Sequence, residues 1–144
     1  MKIMAVDYGD ARTGLAVCDR TEFLASPIGT IEERNFELLV AKVAHMAHQY
    51  EVGEIVVGLP LNMNGSFGPR AEACKNFADA LNEMTNIPVN MWDERSTTVS
   101  AHGILNETNV RGKKRKAVVD TVAATIILES YLDYRRKKKE RGEE

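Results

Sequence analysis

Two cysteines in 144 residues are too few for a disulfide framework, and Cys18 and Cys74 do not form a CxxC pair. Both read as small, partly buried residues. No apolar run approaches the ~20 residues that a membrane-spanning helix needs. The chain runs from Met1 straight into a strand pattern, without the charged region, apolar region and small-residue cleavage site of a secretory leader. The expectation is a cytoplasmic protein with no membrane contact. Histidine is also scarce. His45 and His48 lie opposite the apolar stripe of their helix with no third ligand in view, and His102 stands alone. No Ser/His/Asp or Cys/His arrangement stands out. GLPLNMNGSFGPRA follows an apolar strand but lacks the Lys-Ser/Thr of a phosphate-binding P-loop.

An excess of positive charge is missing as well. The net charge is −2, which taken whole argues against a nucleic-acid partner. The distribution says otherwise. The first 110 residues hold 8 Lys+Arg against 15 Asp+Glu, and the last 34 hold 11 against 6. The positive charge is gathered in RGKKRK (111–116) and RRKKKER (135–141). Such local patches bind phosphates whatever the global balance.

The length fits one domain with a single well-buried core, spanning residues 1–144. Strand patterns over 2–7, 13–19 and 24–31 form an antiparallel meander, with Pro27 marking the last as an edge or a kink. Asn35 caps an amphipathic helix over 36–50. EIVVGLP (54–60) is a continuous apolar strand of the parallel, doubly covered type. Pro69 opens a second helix, IPVNMW (87–92) is a further strand, and Ser96 or Thr97 caps a helix through about Asn106. A flexible basic loop is expected over 107–115, then a helix from about Lys116 to Arg136, then a basic tail over 135–144. The order gives an α/β fold with a mixed central sheet, an antiparallel meander joined to parallel strands, flanked by helices.

Three acids break these patterns. Asp7 ends an apolar strand, where an ionised carboxylate is costly unless paired or bound to a cation. Gly9 and Gly14 behind it allow backbone or phosphate to come close, while an Asp7–Arg12 ion pair is the structural alternative. Asp120 shares a helical stripe with Ala117, Ala124, Ile127 and Tyr131. Asp93 and Glu94 end the strand IPVNMW, and open sheets bind ligands beyond the carboxyl ends of their strands. The pattern does not choose between these two. Carboxylates from three separate elements suit Mg²⁺ or Mn²⁺, with waters and substrate phosphates completing the shell. Two such ions flanking a scissile phosphate would stabilise the attacking and leaving oxygens. Tyr8 and Trp92 are candidates to stack on bases, although packing is the commoner role.

DYGDARTGLAV, VVGLPLNMNGSFGPRAEA, WDERSTT and KAVVDTVAATIILESYL together resemble the YqgF/RuvX family, over residues 1 to about 134. The resemblance implies an RNase H-like fold and a metal-dependent phosphodiesterase acting at the 5′ end of pre-16S rRNA in ribosome biogenesis. Some members are described as Holliday junction resolvases. Carried across, the acidic triad falls on Asp7, Glu94 and Asp120, which by analogy chooses Glu94 over Asp93. Ser96 and Glu129 depart mildly from the family's usual residues and leave the triad untouched. Substrate contacts are expected from Arg12, Asn62, Asn64, Arg70, Arg95, Lys113, Lys114, Arg115 and Lys116. The expected partner is nucleic acid: structured RNA, with pre-ribosomal particles, or alternatively a four-way DNA junction. The protein would act as a monomer or homodimer. A non-catalytic nucleic-acid-binding module is the reading from another class. A nucleotide-binding kinase or actin-like protein would need a second such domain, for which the chain has no room.

Overall fold

A computed structural model describes residues 1–96 and 112–142, with the side chains of the last helix described from residue 122 onward. Five strands form one sheet in the order β3-β2-β1-β4-β5. They are β1 (Ile3–Asp7), β2 (Arg12–Cys18), β3 (Ala25–Glu32), β4 (Glu54–Leu59) and β5 (Val89–Asp93). The β1–β2–β3 meander is antiparallel, whereas β4 pairs parallel to both β1 and β5. The helices are α1 (Phe36–Gln49), α2 (Pro69–Thr85) and α3 (Gly112–Glu140), and a single 3₁₀ turn follows β5 at Glu94–Ser96.

The pattern of β1 follows from its place. It is central and covered on both faces, so Ile3, Met4, Ala5 and Val6 are all fully buried. Alternation splits them between two cores. Met4 and Val6 face α1 and α2, packing with Leu39, Val43, Cys74, Phe77 and Leu81. Ile3 and Ala5 face α3, packing with Ala124, Ile127, Leu128 and Leu132. Pro27 lies in the outer strand β3, beside a bulge in the β2–β3 ladder between Leu15 and Ala16. Asn35 caps α1 by accepting from the Leu38 amide at 2.9 Å.

The two basic segments differ from expectation. The last helix begins at Gly112, so residues 112–115 are helical rather than loop, and it runs to Glu140, so most of the expected tail is helical too. Lysine and arginine are good helix formers, and Lys137, Lys138 and Lys139 complement the negative helix terminus. The helix expected from Ser96 or Thr97 to Asn106, and loop residues 107–111, lie outside the described residues.

Arg135 anchors α3 at the amino ends of the parallel strands. Its guanidinium pairs with Glu22 at 2.6 Å and Glu54 at 3.5 Å. Glu54 also accepts from the Tyr131 hydroxyl and, at 2.8 Å, from Asn90. Glu22 takes the Met1 amino group at 3.2 Å. Burial pushes the Glu22 carboxyl up, but hydrogen bonds from Arg135 and the amino terminus, with the charges of Arg135 and Lys139, outweigh it and hold it below the ordinary glutamate value.

Candidate functional site

Asp7 ends β1 and is half-buried. Its neighbour on β2 is Gly14, and on β4 it stands one step beyond the Val6–Val57 pair, beside Gly58. Alternation puts Asp7 on the α3 face with Ile3 and Ala5. The carboxylate is therefore flanked on both neighbouring strands by positions without side chains. The turn behind it is equally tight. A Cβ on Gly9 would sit 2.0 Å from the Arg12 carbonyl oxygen, so the glycine admits backbone. Buried Thr13 accepts from the Gly9 amide at 3.3 Å and holds that turn.

Glu94 follows β5 in the 3₁₀ turn. Its carboxylate reaches back over β4. A Cβ on Gly58 would lie 3.0 Å from Glu94 Oε2 and 2.7 Å from Ile127 Cδ1. Gly58 is thus the floor on which Glu94 and α3 meet, beside Asp7. Glycine inside a buried strand marks such an approach, and the VVGLP stretch carried that signal without being used. Burial pushes the Glu94 carboxyl above its ordinary value, Arg70 pulls it back, and the Asp93 charge adds to the rise. The same neighbourhood registers on Cys74, whose thiol is pushed to about 11, first by burial and then by Glu94, Asp7 and Asp10, against Arg70.

Arg70, in the first turn of α2, is the cation of this end. It donates to the Tyr8 carbonyl and to Asp10 at 3.1 Å, and its guanidinium lies 5.2 Å from the Tyr8 ring centroid. Tyr8 in turn stacks on Phe77 at 4.6 Å, so it packs rather than presenting a free ring.

Asp120 lies on α3, and its side chain is outside the described part, as are those of Lys113, Lys114, Arg115 and Lys116. The course of the helix is described. Tyr131 bonds Glu54 at the start of β4, and Ile127 meets Gly58 near its end. Toward its N-terminus, α3 therefore runs toward the carboxyl ends of β1, β4 and β5. Asp120 stands two turns beyond Ile127 in that direction, roughly 10 Å along the axis.

The other candidate contacts divide. Arg12 shares the sheet face of Asp7 and lines a hollow of about 400 Å³ with Ala11, Glu32, Glu33 and Arg34. Asn62 and Asn64 build their own loop: Asn62 donates to Ser66 Oγ at 3.0 Å, and Asn64 accepts from the Ser66 amide and hydroxyl at 3.0 and 2.6 Å. Arg95 is held by Asp93 at 2.7 Å and donates to the Met63 carbonyl at 3.3 Å, docking that loop on the end of β5. Asp93, occupied in this way, is held below its ordinary carboxylate value, chiefly by the Arg95 hydrogen bonds. Glu94, and not Asp93, lies against Gly58, the strand position beside Asp7.

In donor chemistry the site suits a hard divalent cation, since Asp7 and Glu94 offer carboxylate oxygens from elements on either side of β4. Among the described residues no group of three or more His, Cys, Asp or Glu gathers in ligating geometry. Among them, too, no helix is long and apolar enough to cross a membrane.

The family model RuvX, described as Holliday junction resolvase, matches residues 1–134. A relative from Halothermothrix orenii is 45% identical over 137 residues, covering 95% of this chain and 98% of its own. One from Pelotomaculum thermopropionicum is 43% identical over 144 residues, covering 99% and 94%. Both bear the name "Putative pre-16S rRNA nuclease". Among solved structures, Thermus thermophilus RuvC in complex with a Holliday junction substrate superposes with a TM-score of 0.66 at 12% identity, over 95% of this chain and 96% of that one. The fowlpox virus Holliday junction resolvase gives 0.55 at 14% identity, over 93% and 99%. These last two likenesses speak for the fold, which is of the RNase H type. On the match across nearly its whole length and the identity of its relatives, the chain belongs to the RuvX family.

Proposed function

We propose that this protein is a metal-dependent nuclease that hydrolyses phosphodiester bonds in pre-16S rRNA, maturing its 5′ end in the cytoplasm. The observation that supports the reading is the Glu94 carboxylate over Gly58, the β4 position beside Asp7, at the carboxyl ends of the sheet. Relatives at 43–45% identity that bear the pre-16S rRNA nuclease name support the choice of substrate.

Asp7 and Glu94, with Asp120 from α3, would hold Mg²⁺ or Mn²⁺. A divalent ion there supplies Lewis acidity toward the phosphate and lowers the pKa of the attacking water. The chain's own groups do the rest. Gly14 puts no side chain beside Asp7 on β2, and Gly58 makes room for Glu94 on β4. Burial of Glu94 makes its charge count for more than it would in water. Arg70, fixed by Tyr8 and Asp10, holds positive charge beside the acids. Lys113, Lys114, Arg115 and Lys116 open α3 and neutralise the flanking phosphates, while Arg12 and Arg95 border the same end of the sheet.

The test is a paired cleavage assay with Mg²⁺ or Mn²⁺ on a precursor 16S rRNA and a four-way DNA junction, with Asp7→Asn as control. RNA trimming that is lost in the variant supports the reading. Symmetric junction cutting lost in the variant moves it to Holliday junction resolution, the second reading, which is the activity named in the family model's description. That activity would call for a homodimer placing two sites symmetrically. Cleavage of neither substrate returns the chain to a non-catalytic binding module.

A further inference from the structure

Between β5 and the second half of α3 lies a cleft of about 560 Å³, lined by Trp92, Tyr131, Tyr134, Arg135, Lys138 and Lys139 among others. We propose that it is a subsite for an unpaired nucleotide of the substrate strand, with the base against the aromatic cluster and the backbone phosphate on Lys138. This rests on the nuclease reading for what the nucleotide belongs to.

Four observations carry it. The chain concentrates aromatic surface here: Trp92 lies 5.3 Å from Tyr134 and 5.5 Å from Tyr131, ring centroid to centroid. The polar tips of two of these rings are already engaged, the Trp92 N–H by Ser130 at 3.2 Å and the Tyr131 hydroxyl by Glu54, so the rings are held in place. Rigid rings beside cations are how proteins hold single-stranded nucleic acid without reading its sequence. The charge is also of the right kind. Arg135 is committed to Glu22 and Glu54, whereas Lys138 makes no ion pair among the described residues. Third, the cleft and the acids share β5: Glu54 lines the cleft at the amino end of the sheet, and Trp92 lines it toward Glu94. β5 is the outer strand of the sheet, and Trp92 precedes Glu94 by two residues, about 7 Å along the strand. A strand held at the acids can reach it. Finally, Tyr134 is 41% exposed, so the cluster presents an open ring to the cleft.

Trp92 is the sole tryptophan, so its fluorescence reads the cleft directly. The experiment titrates the full chain with a single-stranded RNA hexamer and, separately, with a mononucleotide, in buffer free of divalent ions. The proposal expects a saturable change in Trp92 emission with the hexamer. It expects affinity to fall about tenfold in Tyr134→Ala. In Lys138→Ala the slope of log affinity against log salt should lessen by about 0.7. Both side chains are at the surface, and matching thermal melts verify that the variants fold. An unchanged emission, or wild-type affinity and slope in both variants, overturns the proposal. So does mononucleotide binding as tight as that of the hexamer, which would make the cleft a free-nucleotide site. Cleavage is not needed for this readout. Cleavage of pre-16S rRNA without a Trp92 response removes the subsite alone, and a response without cleavage removes the nuclease reading alone.

Discussion

At the amino ends of the parallel strands, Glu22 and Glu54 are 8% and 7% exposed and sit under Arg135, Tyr131 and the Met1 amino group. At the carboxyl ends, Glu94 is half-buried over Gly58, with Asp93 beside it and the charge of Arg70 shared with Asp10. The two environments move their acids in opposite directions. Glu22 is held below its ordinary value and Glu94 above it. Donors fixed in place stabilise the Glu22 charge, so burial there locks α3 onto the sheet. The Glu94 carboxyl is shifted chiefly by desolvation, so burial there raises the cost of its ionisation. A buried acid is structural or functional according to what else is buried with it.

The largest expected effect is at the amino end. Arg135→Ala strips the guanidinium from two buried glutamates, and breaking a buried pair by removing one partner typically costs about 3–5 kcal/mol. Urea unfolding of the variant should show a loss of that size. A loss below about 1 kcal/mol would mean that Arg135 is a surface pair and that the contrast between the two ends is false.

Glu94→Gln sharpens the contrast from the other side. It removes a desolvated charge, so the unfolding free energy should hold or rise in buffer without divalent ions. Nuclease activity should fall by about 10²–10³-fold, the usual cost of deleting one preorganised electrostatic group. Asp7→Asn should lose activity to a similar extent. A variant that loses stability and activity together would place Glu94 in the scaffold instead.

Gly58→Ala tests the floor between the acids. Its Cβ would press on Ile127 and Glu94, and overpacking of this kind costs about 1–3 kcal/mol. Chemical denaturation reads the stability, and the cleavage assay reads the displacement of Glu94. The alanine variant melting like the wild type would mean that the approach relaxes freely.

The carboxyl end was the more legible in the sequence. Asp7 and the Asp93/Glu94 pair show because acids interrupt apolar patterns that are themselves local, and the succession of strands and helices along the chain follows from the same patterns. What singles out Glu94 on the page is a pair of three-dimensional facts, Arg95 occupying Asp93 and Gly58 admitting Glu94, neither of which has a local signature. The Arg135 lock was invisible for the same reason, since it joins residues 113 apart. The basic run around it looked like a solvated tail because charge composition does not reveal which arginine finds a buried acid. Asn62 and Asn64 resembled phosphate ligands, but short amides near glycine equally build turns, and theirs are bonded to Ser66.

The smallest effect is the dependence of stability on pH, and it separates the two ends by sign. Glu22 is depressed below its reference value of 4.5. Its contribution is present above that value and is lost as the pH falls through the lower folded value. Glu22→Gln should therefore be less stable than the wild type at neutral pH, with a gap that closes only below about 4.5. Glu94 is raised above the same reference value. Its protonated form suits the fold, so the stability it adds is present below 4.5 and lost as the pH rises through the higher folded value. Glu94→Gln should be at least as stable as the wild type at neutral pH, and that gap should close before the pH reaches 4.5. Denaturant melts of the three proteins across this range, without divalent ions, give both curves. Gaps that close in the same window would mean that the two acids feel the same environment, and the division of the sheet into a locked end and an open end would fall.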